Sequence, residues 1–341
     1  MKILQVIDTL EVGGAERIFV NMCNLLHTNG VNASALVFGR KGKLEASLLK
    51  EIPKVNFKRK RKYSISEWYT LSKILKQYDI IHVHMRHNFM YIKLIAIVFR
   101  VNTNVILHDH SSNFNDVSWA LKSFLRPKYF IGVSKQLVQW SKKTLSVKDS
   151  KAFLLYNIIV KEKINRSIKG GTDIVVVGNI KPGKNQLFII NILPQLTENI
   201  TFIGKVQDLR YFKQVKARVD VLNLNDRVTF LTDIDNVQEQ LPKFKLALMP
   251  SINESGPLVL IEYLAQELPF ISYKTGEISD RIEKEIPEFF VPSFQEELWI
   301  KKIKEIPNNE GLELGAIYDR LFSPSKYIQL CTKIYQKILS S

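Results

Sequence analysis

The chain has 341 residues, which makes two domains the natural expectation. Its 45% hydrophobic and 24% charged content fits a soluble globular protein and excludes disordered, fibrous and membrane-spanning classes. A net charge of +16 and a pI near 9.6 favour an anionic partner, whether nucleic acid, an anionic membrane surface or a phosphorylated substrate.

Residues 2–7 read as a first strand, too short and too soon polar for a signal peptide. A loop ending in Gly13-Gly14 follows, after which Ala15, Ile18, Phe19, Met22, Leu25 and Leu26 recur at helical spacing. A strand entering a glycine turn and then a helix can cradle a phosphate. Without the pattern G-x-G-x-x-G it can equally be an ordinary connection. Further strands are expected at 32–38, 79–83, 105–107, 129–133 and 152–156. Helices are expected at 68–76, 91–99 and 118–125, with another capped by Ser134. Such alternation predicts a parallel, doubly wound sheet, whose ligands bind beyond the carboxyl ends of the strands. Gly13, His84 and His110 fall at such ends.

Residues 157–172 are polar and basic and contain Gly170-Gly171, so the linker is placed there, at 161–172. The pattern then restarts. Strands are expected at 174–177, 199–203, 227–231, 245–249, 270–273 and 289–291. Helices are expected from Gln186, at 208–222, at 237–241 and from Ser255. Residues 324–339 form an amphipathic helix with Tyr327, Leu330, Ile334 and Ile338 on one stripe. Cys23 and Cys331 lie far apart in apolar helical contexts, which argues for reduced, structural thiols in a cytoplasmic protein. No apolar run is long enough to span a bilayer; residues 89–101 are broken by Lys93 and Arg100.

The most informative stretch is 249–269. Ser255-Gly256-Pro257 suits a helix start. Leu258, Val259, Leu260, Ile261, Leu264, Ala265 and Leu268 make that helix apolar nearly all round, hence buried. Glu262 nevertheless lies on the same side as Leu258, Ile261 and Ala265, and a buried carboxylate is costly unless it is paired or hydrogen-bonded. Glu254 sits just ahead of the helix, where amide N–H groups and the positive dipole end favour anions. Two carboxylates and a helix N-terminus suit a ligand with hydroxyls and phosphates. On residue chemistry alone, a capping Glu254 and a Glu262 paired to a core Arg or Lys fit as well.

Other chemistries are weaker. The pairs His82/His84 and His108/His110 and the Asp233-Ile-Asp235 motif resemble ligand sets. There is no Cys cluster and no His-Glu-x-x-His, so no metal site is expected. A hydrolase nucleophile elbow and a nucleic-acid-binding module are both absent. The densest basic cluster is Lys58, Arg59, Lys60, Arg61 and Lys62, followed by Tyr63, Trp68 and Tyr69. Basic residues beside aromatics suit a peripheral contact with an anionic membrane, and also a solvated loop.

Taken in order, these elements resemble the retaining glycosyltransferases of the GT-B fold, the large family-four group that includes capsular, exopolysaccharide and lipopolysaccharide enzymes. The resemblance covers essentially the whole chain. It rests on Glu254 and Glu262 with Ser255-Gly256-Pro257-Leu258 between them, on Gly13-Gly14-Ala15-Glu16-Arg17, on His110 after a strand, and on Gly178 through Lys184-Asn185. It implies two Rossmann-like, doubly wound α/β domains facing across a cleft: 1–160, completed by the C-terminal helix 324–341, and 173–323. The first carries the acceptor side, to which Glu16, Arg17 and His84 are assigned. The second binds the nucleotide-sugar.

By the same resemblance Glu254 and the backbone of Ser255, Gly256, Pro257 and Leu258 hold the donor sugar, and Glu262 holds the ribose diol. Lys184 with the glycine loop of Gly13 and Gly14 neutralises the diphosphate, and His110 contacts the sugar near the reacting carbon. Lysine and helix N-termini can then replace a metal where negative charge develops. The resemblance thus implies no metal or cofactor, a UDP- or GDP-linked donor, and a glycan acceptor on a lipid carrier at the inner face of the cell membrane in polysaccharide biosynthesis. Two positions depart from the family. Asn179 stands where a diphosphate-clamping Arg is usual; a nearby base such as Lys181 compensates, or activity is weak, or the clamp differs. Asn157-Ile158 stands where the family has Asn-Gly. The alternative reading is a catalytically weakened scaffold subunit of a glycan-assembly complex.

Overall fold

Short β-branched and apolar runs, most of them leading through a turn into a helix, build two parallel six-stranded sheets. The computed structural model describes residues 1–39, 42–57, 59, 61, 63–111, 114, 117–164, 173–254, 256–306 and 313–341. They divide into two units, Met1–Ile158 with Pro324–Ser341, and Ile159–Ser323. Residues 165–172 of the expected linker lie outside the described residues.

Unit 1 runs β1 (Ile3–Ile7), α1 (Gly14–Thr28), β2 (Ala33–Val37), α2 (Ile65–Leu75), β3 (Ile80–His84), α3 (Arg86–Val98) and β4 (Asn104–Asp109). It continues through α4 (Trp119–Lys122), β5 (Tyr129–Gly132), α5 (Lys135–Thr144) and β6 (Ala152–Leu154). Unit 2 runs β7 (Ile174–Val177), α6 (Gln186–Ile192), β8 (Ile200–Ile203), α7 (Leu209–Val221), β9 (Val228–Leu231), β10 (Leu246–Met249) and α8 (Leu258–Ala265). It ends with β11 (Phe270–Tyr273), α9 (Glu277–Glu283), β12 (Phe290–Val291), α10 (Glu296–Glu305) and α11 (Leu314–Phe322). The last helix, α12 (Pro324–Leu339), belongs to unit 1.

The first sheet has the order β2-β1-β3-β4-β5-β6. The second, β12-β11-β10-β7-β8-β9, is the 3-2-1-4-5-6 order of dinucleotide-binding folds when its strands are counted from β7. Connections leave β1 in opposite directions toward β2 and β3, and leave β7 toward β8 and back to β10. Each sheet therefore has a switch point, between β1 and β3 and between β7 and β10.

Residues two apart on a strand share a face. On one face of the first sheet, Leu4, Val6, Ile81, Val83, Leu107 and Phe130 pack in a common cluster with residues of α2, α3 and α5. On the other, Ile3, Ile80, Ile106, Tyr129 and Ile131 pack with Met22 and Leu26 of α1 and with Tyr327, Ile328, Cys331, Ile334, Tyr335 and Ile338 of α12. The stripe of α12 thus includes Cys331 and Tyr335, whereas Leu330, expected on it, is exposed. Positions 327, 331, 334 and 338 keep the 4-3-4 spacing of one helix face, and 330 falls off it.

Two local expectations change. Residues 237–241 were expected to be helical; they form turns leading into a 3-10 turn at Leu241–Lys243. Gln238 is the cause. Its buried amide donates to Val160 O at 3.0 Å and accepts from Glu162 N and Gln266 Nε2 at 3.2 and 2.7 Å, so the backbone bends to satisfy it. Helix α8 starts at Leu258 with Pro257 as N-cap and no side-chain cap; Ser255 lies outside the described residues.

Burial raises both thiol pKa values, Cys331 to about 12. Neither cysteine is then expected to react with a thiol reagent at pH 8 until denaturant is added. Prompt titration of both in the native protein would contradict this packing.

Candidate functional site

Unit 2 gathers its polar groups at the switch point between β7 and β10. Val177, the last residue of β7, donates its N–H to the Tyr263 hydroxyl at 3.3 Å, which fixes α8 to this strand end. The chain then bends at Gly178, and β8 bends alongside it at Gly204, with φ of +157° and +153°. A Cβ on Gly204 would stand 2.3 Å from the Gly178 carbonyl oxygen, so only glycine permits the approach. A 3-10 turn at Pro182–Lys184 returns the Lys184 side chain over Gly178, where a Cβ would meet Lys184 Cδ and Cε at 3.2 Å. Asn185 then takes a left-handed conformation, φ 55° and ψ 37°, and α6 begins.

Glu254 comes from the neighbouring strand end. Its loop is tied to the lysine turn by Ile252 N–H donating to Gly183 O at 3.0 Å. On the other side Glu254 N–H donates to Thr275 Oγ1 at 3.1 Å, and Gly276 packs so closely that a Cβ would lie 2.8 Å from the Glu254 carbonyl oxygen. Lys184 Nζ and Glu254 Oε1 form an ion pair at 2.5 Å, each side chain 18% exposed. Glu262 lies one turn further along, 6% exposed. Lys184 and Glu254 thus meet beyond the ends of two adjacent strands, and Glu262 lies buried on α8.

Asn179 uses its backbone here, its carbonyl accepting from Gln186 Nε2 at 3.1 Å. Lys181, the substitute suggested by the sequence, is exposed. The pairing of Val177 with Ile203 and of Ile180 with Val206 instead sets Asn179 beside Lys205, which is half-buried.

Unit 1 places Gly13, Gly14, His84 and His110 at its carboxyl strand ends. Gly13 is the extended N-cap of α1, and Glu16, the third helical residue, folds back over it: a Cβ on Gly13 would meet Glu16 Oε2 at 2.3 Å. Glu16 therefore packs against the start of its own helix. Arg17 is half-buried in the same turn. His84, assigned to the acceptor side by sequence, is completely buried. A residue in the last position of a central strand under α1 points into the core.

His84 belongs to a cluster that sequence showed only as separate pairs. His82 Nε2 meets His108 Nδ1 at 2.9 Å, and His84 Nδ1 meets His110 Nε2 at 3.0 Å. His82 Nδ1 also meets the Tyr335 hydroxyl at 2.7 Å, and His84 Nε2 meets Gln5 Oε1 at 3.0 Å. Gln5 donates through Nε2 to Tyr335 at 2.8 Å. Ligand atoms of His82, His84 and His108 lie within 4.8 Å of one another, as in a metal site, while each of these residues already bonds to a neighbour. Burial is the leading cause of a lowered pKa in all four, to about 3 for His82 and about 4 for His110, so the cluster is uncharged at neutral pH. Asp233 and Asp235 are exposed, in unit 2. On the opposite face Asp109 pairs with Arg86 at 2.7 Å, beneath Trp140.

Two family profiles divide the chain between them. "Glycosyltransferase Family 4" matches residues 12–163, and "Glycosyl transferases group 1" matches 158–318. The chain is a family-four glycosyltransferase of the GT-B fold. Its fold is shared by the Anabaena protein HepE in complex with UDP and glucose, at TM-score 0.81 and 15% identity over 98% of this chain and 99% of that one. It is shared too by a glycosyltransferase of Rickettsia africae, at TM-score 0.77 and 16% identity over 99% and 98% of the two chains. The catalytic domain of starch synthase IV from Arabidopsis thaliana, bound to ADP and acarbose, aligns at TM-score 0.70 and 12% identity over 100% and 99%. No curated protein matches the glycosyltransferase by sequence.

The residues expected to meet a membrane separate. Lys58, Lys60 and Lys62 lie outside the described residues. Arg59 turns inward, bound to Asp8 at 2.8 Å and stacked over Phe38 and Tyr91. Trp68 is half-buried between Tyr63 and Tyr91, so neither it nor Arg59 forms an exposed patch. Arg61, Tyr63, Ile65, Tyr69, Trp119 and Phe124 are exposed instead, with Lys122 and Arg126. Sequence reasoning also missed Gln5, Thr275, Gly276 and Lys205. A lone polar residue in an apolar strand could have signalled Gln5, and a glycine just past a strand could have signalled Gly276.

The histidine cluster makes the glycosyltransferase acid-sensitive. Unfolded histidines titrate near 6.5 and the folded ones well below, so the unfolded state binds more protons between these values. The associated stability is full above about pH 6.5 and is lost as pH falls from there toward the lowered folded values, about 4 for His110. Urea unfolding at pH 7, 6 and 5 should show a steadily falling midpoint. An unchanged midpoint would contradict a neutral buried cluster.

Proposed function

We propose that unit 2 binds a nucleotide-sugar and that the enzyme transfers its sugar, with retention of configuration, to a growing glycan. The Lys184–Glu254 pair across the switch point of a 3-2-1-4-5-6 sheet carries this reading. Glu254 and the backbone from Ser255 to Leu258 hold the sugar hydroxyls. Glu262 accepts two hydrogen bonds from the ribose diol, which accounts for a carboxylate that is only 6% exposed. Lys184 faces the diphosphate, whose negative charge grows as the glycosidic bond breaks. A preset cation stabilises that state more than the ground state. Lys205, beside Asn179, supplies the second cation that an arginine at 179 would provide. His110 contacts the sugar near the reacting carbon. No metal is needed when lysines and helix N-termini carry the charge. The Anabaena HepE structures in complex with UDP and with UDP-glucose support a UDP-linked donor.

Glu254→Ala and Lys184→Ala should each lower turnover by at least about a hundredfold with the fold intact by circular dichroism. Lys205→Ala should raise donor KM. Full turnover in both Glu254→Ala and Lys184→Ala with a confirmed donor would sink the assignment.

The acceptor is proposed to be lipid-linked, at the inner face of the cell membrane, in polysaccharide biosynthesis. No helix among the described residues is long and apolar enough to cross a membrane, so the contact would be peripheral. Tyr63, Ile65, Trp119 and Phe124, with Arg61, Lys122 and Arg126 exposed nearby in sequence, supply apolar and cationic groups to an anionic surface. Replacing Ile65 and Trp119 by Ser should cut co-sedimentation with anionic vesicles severalfold; unchanged binding would remove the membrane role.

A further inference from the structure

The amino edge of the first sheet, opposite the strand ends that carry Gly13, His84 and His110, holds a second gathering of charge. Strands β5 and β6 run parallel and begin at Tyr129 and Ala152. The segments that lead into them, 126–128 and 146–151, close around a cavity of about 290 Å³. Arg126, Lys128, Lys148 and Lys151 line it. Pro127 and Val147 are buried, so both segments are anchored beneath these side chains.

Among the described residues no acidic side chain lines the cavity, and none of the four cations makes an ion pair. Asp149, next to Lys148 in sequence, pairs instead with Lys142 at 3.3 Å. Lys128 and Lys151 bring both ammonium groups to one ring, at 4.8 and 5.0 Å from the Tyr129 centroid. Like charges on one ring repel, and the π face offsets only part of that. Burial and the Lys128 charge together lower the pKa of Lys93, half-buried on α3, so the positive field reaches past the cavity. The C-terminal end of α5 attracts cations, but Lys142 and Lys143 in its last turn already serve it.

Charge and size narrow the ligand. A carboxylate brings one negative charge to four cations, whereas a phosphate group brings about two. Arginine matches phosphate oxygens with paired N–H donors, and lysines converge on them as point charges. Ligand pockets start at about 300 Å³, so this cavity suits a phosphate or diphosphate group rather than a whole nucleotide-sugar. Phe124, two residues before Arg126, is 56% exposed, and its ring meets that of Trp119 at 6.0 Å. An apolar chain attached to the phosphate would have these rings beside it.

We propose that Arg126, Lys128, Lys148 and Lys151 form a binding site for a phosphate or diphosphate group, carried by a lipid headgroup or by a soluble compound. The site gives Arg126 and the exposed aromatic pair a specific anion to meet, beyond general attraction to a charged surface. It does not depend on the donor reading of unit 2.

Lysine acetylation of the wild-type full-length protein, mapped by mass spectrometry with and without inorganic pyrophosphate at constant ionic strength, tests the site. Lys128, Lys148 and Lys151 should react severalfold more slowly with pyrophosphate present, while Lys143, exposed on α5, is unchanged. Lys184 reports separately on unit 2. Protection of Lys184 alone overturns the cavity site, and protection of the cavity lysines alone overturns the donor reading and leaves the cavity site standing. Vesicles of phosphatidic acid and of phosphatidylglycerol, matched in surface charge, identify the source. Greater protection by phosphatidic acid assigns the site to a headgroup phosphate, and protection by pyrophosphate alone assigns it to a soluble compound. Equal protection by the two vesicles with none by pyrophosphate leaves only a charged surface and overturns the site, as does no protection at all. In the Lys184→Ala background, adding Lys128→Gln and Lys151→Gln should weaken calorimetric pyrophosphate binding about tenfold or more, and Lys128→Arg with Lys151→Arg should keep it. Unchanged affinity in the glutamine variant, folded by circular dichroism, would overturn the assignment.

Discussion

A parallel sheet has to be covered by helices on both faces, and this leaves its carboxyl edge as the place where polar groups can gather. Both units obey that constraint. Their central strands are apolar through most of their length, and the groups with chemistry stand at the ends: Lys184 and Glu254 after β7 and β10, His84 and His110 at β3 and β4. The glycine bends at 178 and 204 follow from the same constraint, because two adjacent strand ends must turn together to open a space between them. Where polar groups are drawn back under a helix, as in the histidine cluster, they stay uncharged and bond to one another.

The two sheets solve the covering problem differently. Unit 2 is complete within a continuous segment, and its 3-2-1-4-5-6 order centres the switch point. Unit 1 has its switch point one strand from an edge and borrows α12 from the far end of the chain. That helix fills the space over Ile3, Ile80 and Ile106 and also carries Tyr335, the partner of both Gln5 and His82. Packing and polar order in unit 1 therefore depend on one side-chain stripe.

Much of this was legible in the sequence. Strands made of continuous apolar runs announce themselves, and β7, β10 and β11 fall where the runs predicted. Glu262 was visible because a carboxylate in an apolar helix breaks the pattern, and the structure leaves it buried. Pairing across strands was not legible. Nothing local says that Lys205 lies beside Asn179, or that Gln5 reaches His84; both depend on register between segments distant in sequence. Exposure also misled. Trp68 and Arg59 sit in a basic, aromatic stretch that looks like surface, yet Arg59 finds Asp8 and two aromatic rings, and Trp68 finds Tyr91. The tail stripe failed at Leu330 because helical periodicity fixes a face only to within one residue at its border.

The borrowed helix has a consequence for synthesis. Residues 1–158 leave the ribosome first, but the face carrying Ile3, Ile80 and Ile106, covered in part by α1, is not completed until residues 324–341 follow. All of unit 2 is made in the interval, on the order of ten to thirty seconds at ordinary elongation rates. Throughout that time the earlier half of the chain carries an incompletely covered apolar face while the later half can already close its own core. The half translated first is thus the last able to finish folding.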